Sequence, residues 1–304
     1  MKETINLSLP KCFEEIGTHQ SFQDQLMVLE FNDSVSLKER TNLYPMRLKT
    51  SLLILVLSGE MIIGVDYLIY TLKKNMVMQL TTDNIIESIT YTSNFKGFLM
   101  LFSSELKSEL MAQTSGVRLP KSSQLKRSYP TQELNDEECQ DVIARIDRIK
   151  KYIDTQVHIY SSTLIKNEVT NLQMELDYSR WKKHGDKEIE FPRNEMLREQ
   201  FRELLLQKCK EHRGVYFYAE ELCVTPDYLS KVIREYDGQS AMKWIVNAVV
   251  TEAKFLLRQP DKNINQVALE LNFPDQSTFG KFFKRYTGIT PTDFRKTIFY
   301  LGNY

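Results

Sequence analysis

The sequence predicts an α+β chain: an N-terminal β domain, a stretch of connecting helices, and a C-terminal all-α domain in which a long helix joins two related modules. Three observations predict it. Short runs rich in Leu, Ile, Val, Tyr and Phe, broken by turn residues, fill the chain up to about residue 128. Residues 135 to 183 contain neither Pro nor Gly and carry apolar residues at spacings of three and four. The last hundred residues hold a degenerate internal repeat.

Composition bounds the reading. A chain of 304 residues, 42% hydrophobic and 26% charged, can bury two cores. Its net charge is zero, so no chain-wide field attracts polyanions and any nucleic-acid face must be a local patch. Cys12, Cys139, Cys209 and Cys223 lie far apart without metal spacing, which reads as buried thiols in a reducing compartment. The first residues, MKETINLSLPKCFEEIG, hold no apolar signal core. The longest apolar run, residues 52–57, is far below the ~20 residues of a membrane helix. The expected location is the cytoplasm, with no membrane partner.

The β domain, 1–130, shows strand text in FQDQLMVLEF, TSLLILVLSGEMIIGVDYLIYTLKKNMVMQL, IIESITYTS and FKGFLMLF. Breaks at SGE, KKN, TTDN and SNFKG are turn chemistry. Close turns and little helical periodicity suggest a small barrel or a sandwich. Met61, Met76, Met78, Tyr67 and Tyr70 read either as core or as the lining of an apolar pocket.

Residues 131–184 form the helical region. Asn135, followed by Asp136, Glu137 and Glu138, is an N-cap with acids at the positive end of the helix dipole. Val142, Ile146, Ile149, Ile153 and Val157 make one stripe, and Ile165, Val169, Leu172 and Leu176 a second. The stripes either cover the chain's own core or form a subunit interface, so a homodimer held by residues 136 to 180 is expected. Gly185 and Pro192 in HGDKEIEFPRN mark a linker at 185–194, before an all-α domain at 195–304.

The repeat lays AEELCVTPDYLSKVIREYDGQSAMKWI (219–245) over ALELNFPDQSTFGKFFKRYTGITPTDFR (268–295), with one extra residue in the second copy. Ala219 matches Ala268, Leu222 Leu271, Lys231 Lys281, Tyr236 Tyr286 and Gly238 Gly288. Each copy has the grammar of a helix-turn-helix: a small residue where two helices approach, a tight turn, then a helix with an apolar stripe. The stripes are Leu229, Val232 and Ile233, and Phe279, Phe282 and Phe283. The turn residues are Cys223 and Asn272. Asn accepts positive φ and Cys accepts it poorly, so the first turn is expected to be distorted.

With the Phe stripe inward, Gln276, Ser277, Thr278 and Lys281 face outward near the start of the second helix. Such side chains read base edges in a major groove. Lys281, Lys284, Arg285, Arg295 and Lys296 stand against Asp293 alone between 281 and 296, and cations there contact phosphates. Asp275 reads as the N-cap of this helix. Between the copies, residues 240 to 259 form a helix from Ser240 to the stop at Pro260, with Ile245, Val249, Ala253 and Leu256 as its stripe. At ~1.5 Å per residue it spans roughly 30 Å, close to the ~34 Å of one DNA turn.

At these residues the sequence resembles the AraC/XylS family of bacterial transcription regulators, over about 195 to 297. Phe273, Asp275, Ser277, Phe279, Phe282, Phe283, Gly288, Pro291 and Arg295 sit where that family's pattern places them. Asn272 and Cys223 replace the usual glycines, and Phe294 the usual tyrosine. The resemblance implies a bilobal DNA domain with base contacts from Asp227, Ser230, Lys231 and Arg234 in the first module and Gln276, Ser277, Thr278 and Lys281 in the second. It implies double-stranded DNA as partner, and RNA polymerase as a further partner of an activator; Lys284, Arg285 and Arg295, read from the local excess of cations, are the expected phosphate contacts. It also implies a cupin-like β-barrel at the N-terminus, which either binds a small effector or serves only as a dimerisation scaffold.

A cupin-type enzyme is the rival. Its metal site needs paired histidines in the barrel, and of His19, His158, His184 and His212 only His19 lies in the β region. No GxSxG, P-loop, HExxH or dinucleotide fingerprint occurs. No catalytic residue, metal or cofactor is therefore expected. An architectural nucleic-acid protein would be strongly basic, which this chain is not.

Overall fold

The computed structural model describes residues 19–23, 25–31, 45–82, 84–113, 130–155, 159–184 and 193–301. Cys12, Val157, His158 and the linker residues 185–192 lie outside them. The chain divides into two compact units, the first reaching residue 189 and the second formed by 190–304 with 42–46 and 66–68. Among the described residues, no helix is long and apolar enough to cross a membrane.

Among the described residues, the first unit is built on ten strands: β1 His19–Phe22, β2 Leu26–Phe31, β3 Met46–Arg47, β4 Ser51–Ser58, β5 Met61–Val65, β6 Leu68–Leu72, β7 Met76–Leu80, β8 Ile85–Tyr91, β9 Lys96–Phe102 and β10 Thr131–Glu133. Breaks fall at the turn clusters, for the expected reason: Gly59 between β4 and β5 has φ +71, and a Cβ there would meet Phe95 backbone at 2.8 Å. The barrel expectation is corrected. The described strands form two open sheets, a six-stranded one in the order β1-β2-β9-β4-β7-β10 and a four-stranded one in the order β3-β8-β5-β6. Strand β4 pairs with β7 and β9, whereas β5 pairs with β8, so the Gly59 turn hands the chain from one sheet to the other. Gly97 permits close pairing of β9 with β4, since a Cβ would sit 2.2 Å from the Leu55 carbonyl oxygen. Met61 and Met78 are core.

Three helices accompany them among the described residues: α1 Ser104–Gln113, α2 Asp136–Asp154 and α3 Ser161–His184. Helix α1 falls where strand text was expected to continue. Asn135 caps α2 as predicted: its side chain accepts from Glu138 N–H at 2.8 Å, and the Glu138 carboxylate accepts from Asn135 N–H at 3.0 Å.

The two apolar stripes are not left for a partner. Val142, Ile146, Ile149 and Ile153 of α2, with Ile165, Val169, Leu172 and Leu176 of α3, share one core with Leu53, Leu55, Phe98 and Met100 of the six-stranded sheet. All are at most 4% exposed. The reason lies in the sheet: β4 and β9 bury both faces, so one face needs a helical cover of its own. Arg145 of α2 adds polar ties to Glu168 and Glu175 of α3. The expectation of an interface through these stripes is therefore corrected. Replacing Ile146 with Glu should destabilise this unit by about 3 kcal/mol or more. Denaturant unfolding of the full chain measures it, and a soluble, fully stable monomer would contradict the packing.

Candidate nucleic-acid interface

The second unit holds seven helices among the described residues: α4 Arg193–Lys208, α5 Val215–Glu221, α6 Pro226–Asp237, α7 Ala241–Leu257, α8 Ile264–Glu270, α9 Gln276–Thr287 and α10 Pro291–Leu301. Helices α5 and α6 form the first helix-turn-helix, α8 and α9 the second. Their turns have the same geometry. Cys223 and Asn272 have φ of 54° and 56°, and Val224 N–H donates to the Ala219 carbonyl as Phe273 N–H does to Ala268, each at 2.9 Å. The expected distortion at Cys223 is thus corrected: the surrounding hydrogen bonds hold a cysteine in the left-handed region. That conformation costs a residue with a Cβ about 1 kcal/mol. Cys223→Gly should accordingly raise stability by about 1 kcal/mol, read as an increase in Tm.

The second helix of each module is punctuated alike. Thr225 caps α6, its hydroxyl accepting from Tyr228 N–H at 3.2 Å, and Asp275 caps α9, accepting from Thr278 N–H at 2.7 Å. Gly238 and Gly288 close these helices in the left-handed conformation. The bonds from the Thr278 backbone and hydroxyl hold the Asp275 carboxyl below the usual carboxylate range. Its contribution to the helix is present above the ordinary carboxylate pKa and is lost as pH falls through the depressed one. The repeat also extends past the glycines. Ser240 caps α7, accepting from Lys243 N–H, and Thr290 accepts from Asp293 N–H at 3.1 Å.

Helix α7 holds the modules together. It is 17 residues long, about 25 Å, shorter than the span read from sequence because it starts after its cap and ends at Leu257. Trp244, Ile245, Ala248, Val249, Ala253 and Leu256 are buried in one core with Leu229, Val232 and Ile233 from α6 and Phe279 and Phe283 from α9. The modules thus share a single apolar core. Glu252 of α7, 1% exposed, pairs with Lys210 at 3.2 Å. Phe282 is only half-buried, packed between Phe273 and Tyr286 at centroid distances of 5.1 and 4.9 Å.

Opposite this core lie the polar residues of the two second helices. Asp227, Lys231 and Arg234 on α6 and Gln276, Ser277, Thr278 and Lys281 on α9 are exposed, and Ser230 is half-buried. The Thr278 hydroxyl donates to Asp275 Oδ2 at 3.1 Å, which uses its proton and leaves its two lone pairs to accept. Lys231 lies 3.9 Å from Glu235, an exposed pair that contributes little. Lys284 and Arg285 are exposed one turn farther along α9. Arg295 departs from the phosphate role. Its Nε donates to the Leu257 carbonyl at 3.1 Å, and burial lowers its pKa, so it ties α10 to the end of α7.

Arg213 was not singled out by sequence. It donates to the Leu271 carbonyl at 2.7 Å and lies 4.0 Å over the Phe273 ring, bracing the turn of the second module. No local pattern marks it, because both partners lie some sixty residues on.

Gly280 sits inside α9, and a Cβ built on it would meet nothing within 4 Å. The protein's own packing does not require a glycine there. Gly280→Ala should stabilise the unit by about 0.5–1 kcal/mol in thermal melts.

Residues 218–297 match the family model of a helix-turn-helix domain. The arabinose operon regulatory protein of Salmonella typhimurium is 32% identical over 84 residues, 28% of this chain and 30% of that protein. The HTH-type transcriptional activator RhaR of Yersinia pestis is 26% identical over 133 residues, 42% of this chain and 44% of that protein. An apo ToxT variant from Vibrio cholerae aligns over 92% of this chain and 100% of that chain, at 13% identity and a TM-score of 0.38. The aligned stretches span less than half the length of the curated relatives. The C-terminal part of this chain, with its duplicated modules on one core, is a helix-turn-helix domain, similar over 84 residues to the arabinose operon regulatory protein.

Proposed function

We propose that the chain is a sequence-specific DNA-binding regulator of transcription, not an enzyme, and acts in the cytoplasm. One observation carries this: two helix-turn-helix modules with matching turns stand on a shared core, each presenting polar and basic residues on its second helix. In this reading α6 and α9 enter successive major grooves of double-stranded DNA. Asp227, Ser230, Lys231 and Arg234, with Gln276, Ser277, Thr278 and Lys281, face base edges, and Lys284 and Arg285 meet phosphates. The regulatory part precedes the linker at 185–194, and an activator would add RNA polymerase as a partner. One chain carries both reading helices, so two grooves can be contacted without a dimer. A second copy would act through avidity.

Binding-site selection from random duplexes and from fragments of the source genome tests the proposal. The expected product is a pair of short elements about 10 base pairs apart. Recovery of no enriched sequence at any salt concentration would overturn it.

A further inference from the structure

The first unit contains a partly open pocket of about 230 Å³ lined by the ends of β4, β7 and β9 and by helices α1 and α3. Its walls are mostly aliphatic and aromatic, with Leu52, Leu80, Phe102 and Leu172 among them. An apolar cavity of roughly 150 Å³ accommodates benzene, so this one suits a molecule of roughly nine or ten non-hydrogen atoms.

Three polar groups in the lining lack what they need. Lys107 of α1 is half-buried, burial lowers its pKa, and among the described residues it has no acidic partner. The one carboxylate in the lining, Asp177, is occupied elsewhere: it accepts from Gln173 Nε2 at 3.2 Å and lies beside Arg180. Gln79, 9% exposed, donates to Gln173 at 3.1 Å, but its own Oε1 is buried without a hydrogen-bond partner, as is Ser51 Oγ. A half-buried cation beside apolar walls, with no ion-pair partner among the described residues, is electrostatically incomplete.

We propose that this cavity binds a small apolar monocarboxylate, with its carboxylate on Lys107 and its hydrocarbon body against the β4, β7 and α3 walls. A cation-bearing ligand is disfavoured by Lys107, and a polar sugar by the apolar walls. The inference concerns a binding site in the first unit and stands whether or not the second unit reads DNA.

Calorimetric titration of the full chain tests it with octanoate and cyclohexanecarboxylate, against octan-1-ol and cyclohexylmethanol as neutral counterparts. At least one acid should bind, and its alcohol should bind about tenfold or more weakly. Lys107→Met should raise the Kd of the acid by about tenfold or more and leave that of the alcohol unchanged, while Lys107→Arg should restore acid binding. Leu110→Trp, which fills the cavity, should remove binding of both while the chain keeps its circular dichroism spectrum. Equal binding of acid and alcohol by the wild-type chain would overturn the carboxylate assignment. An unchanged acid affinity in Lys107→Met would overturn the anchor, and binding of neither acid would overturn the site.

Discussion

Phe283→Ala should cost the C-terminal unit about 3–5 kcal/mol, the largest effect expected of any single substitution here. Phe283 is fully buried, and its ring lies 5.8 Å from Phe279 and 5.5 Å from Phe294. It stands in the one core that also holds Leu229, Val232 and Ile233 of the first module, packed around α7. A cavity there should therefore loosen both modules, not the second alone. A domain of this size has only about 5–15 kcal/mol in total, so a large share of its stability would be lost. Urea unfolding of wild type and variant measures the loss. Hydrogen exchange assigns it: amides of α6 as well as α9 should lose protection. If α6 keeps its protection while α9 loses it, the modules are independent and the shared core does not couple them.

Lys281→Ala should change what the domain reads, not how firmly it folds. Lys281 is exposed on α9, one turn after Ser277, and its ammonium can reach guanine acceptors in a major groove. Its loss should cost about 1–3 kcal/mol at one base pair and flatten preference at that position. Arg285 lies a further turn along, toward the C-terminal end where the groove face gives way to the backbone. Arg285→Ala should weaken binding to all sequences alike and lower the slope of log affinity against log salt by about one unit. Binding-site selection with both variants, followed by titration at several salt concentrations, separates the two outcomes. A full wild-type preference at every position in Lys281→Ala would remove base reading from that residue.

What the sequence by itself determined was local and periodic. The capping of α2 by Asn135 and of α9 by Asp275 rests on a short polar side chain three residues before the amide it accepts from, so three or four consecutive residues suffice to read it. The duplicated modules and their outward polar residues follow from apolar spacing at 3.6 residues per turn, which places Phe279 and Phe283 inside and Gln276 and Lys281 outside without knowledge of any neighbour.

Only the tertiary structure decided what each apolar face meets. A helical stripe on α2 looks the same whether it covers a sheet or a second chain; contact of Ile146 and Ile149 with the β4–β9 face chose the sheet. A run of strands is equally compatible with a closed barrel, until pairing of β4 with β9 and of β5 with β8 splits it into two sheets. Arg295 looked like a phosphate ligand because a cation near a helix end is ambiguous in one dimension, and the Leu257 carbonyl, 38 residues earlier, claims it. Even at Cys223, local steric preference argued for distortion, yet the Ala219–Val224 hydrogen bond holds the turn of the first module in the same form as the second. Periodicity orients a side chain relative to its own element, but the partner it reaches lies far along the chain, and long-range packing outweighs the roughly 1 kcal/mol that a local preference supplies.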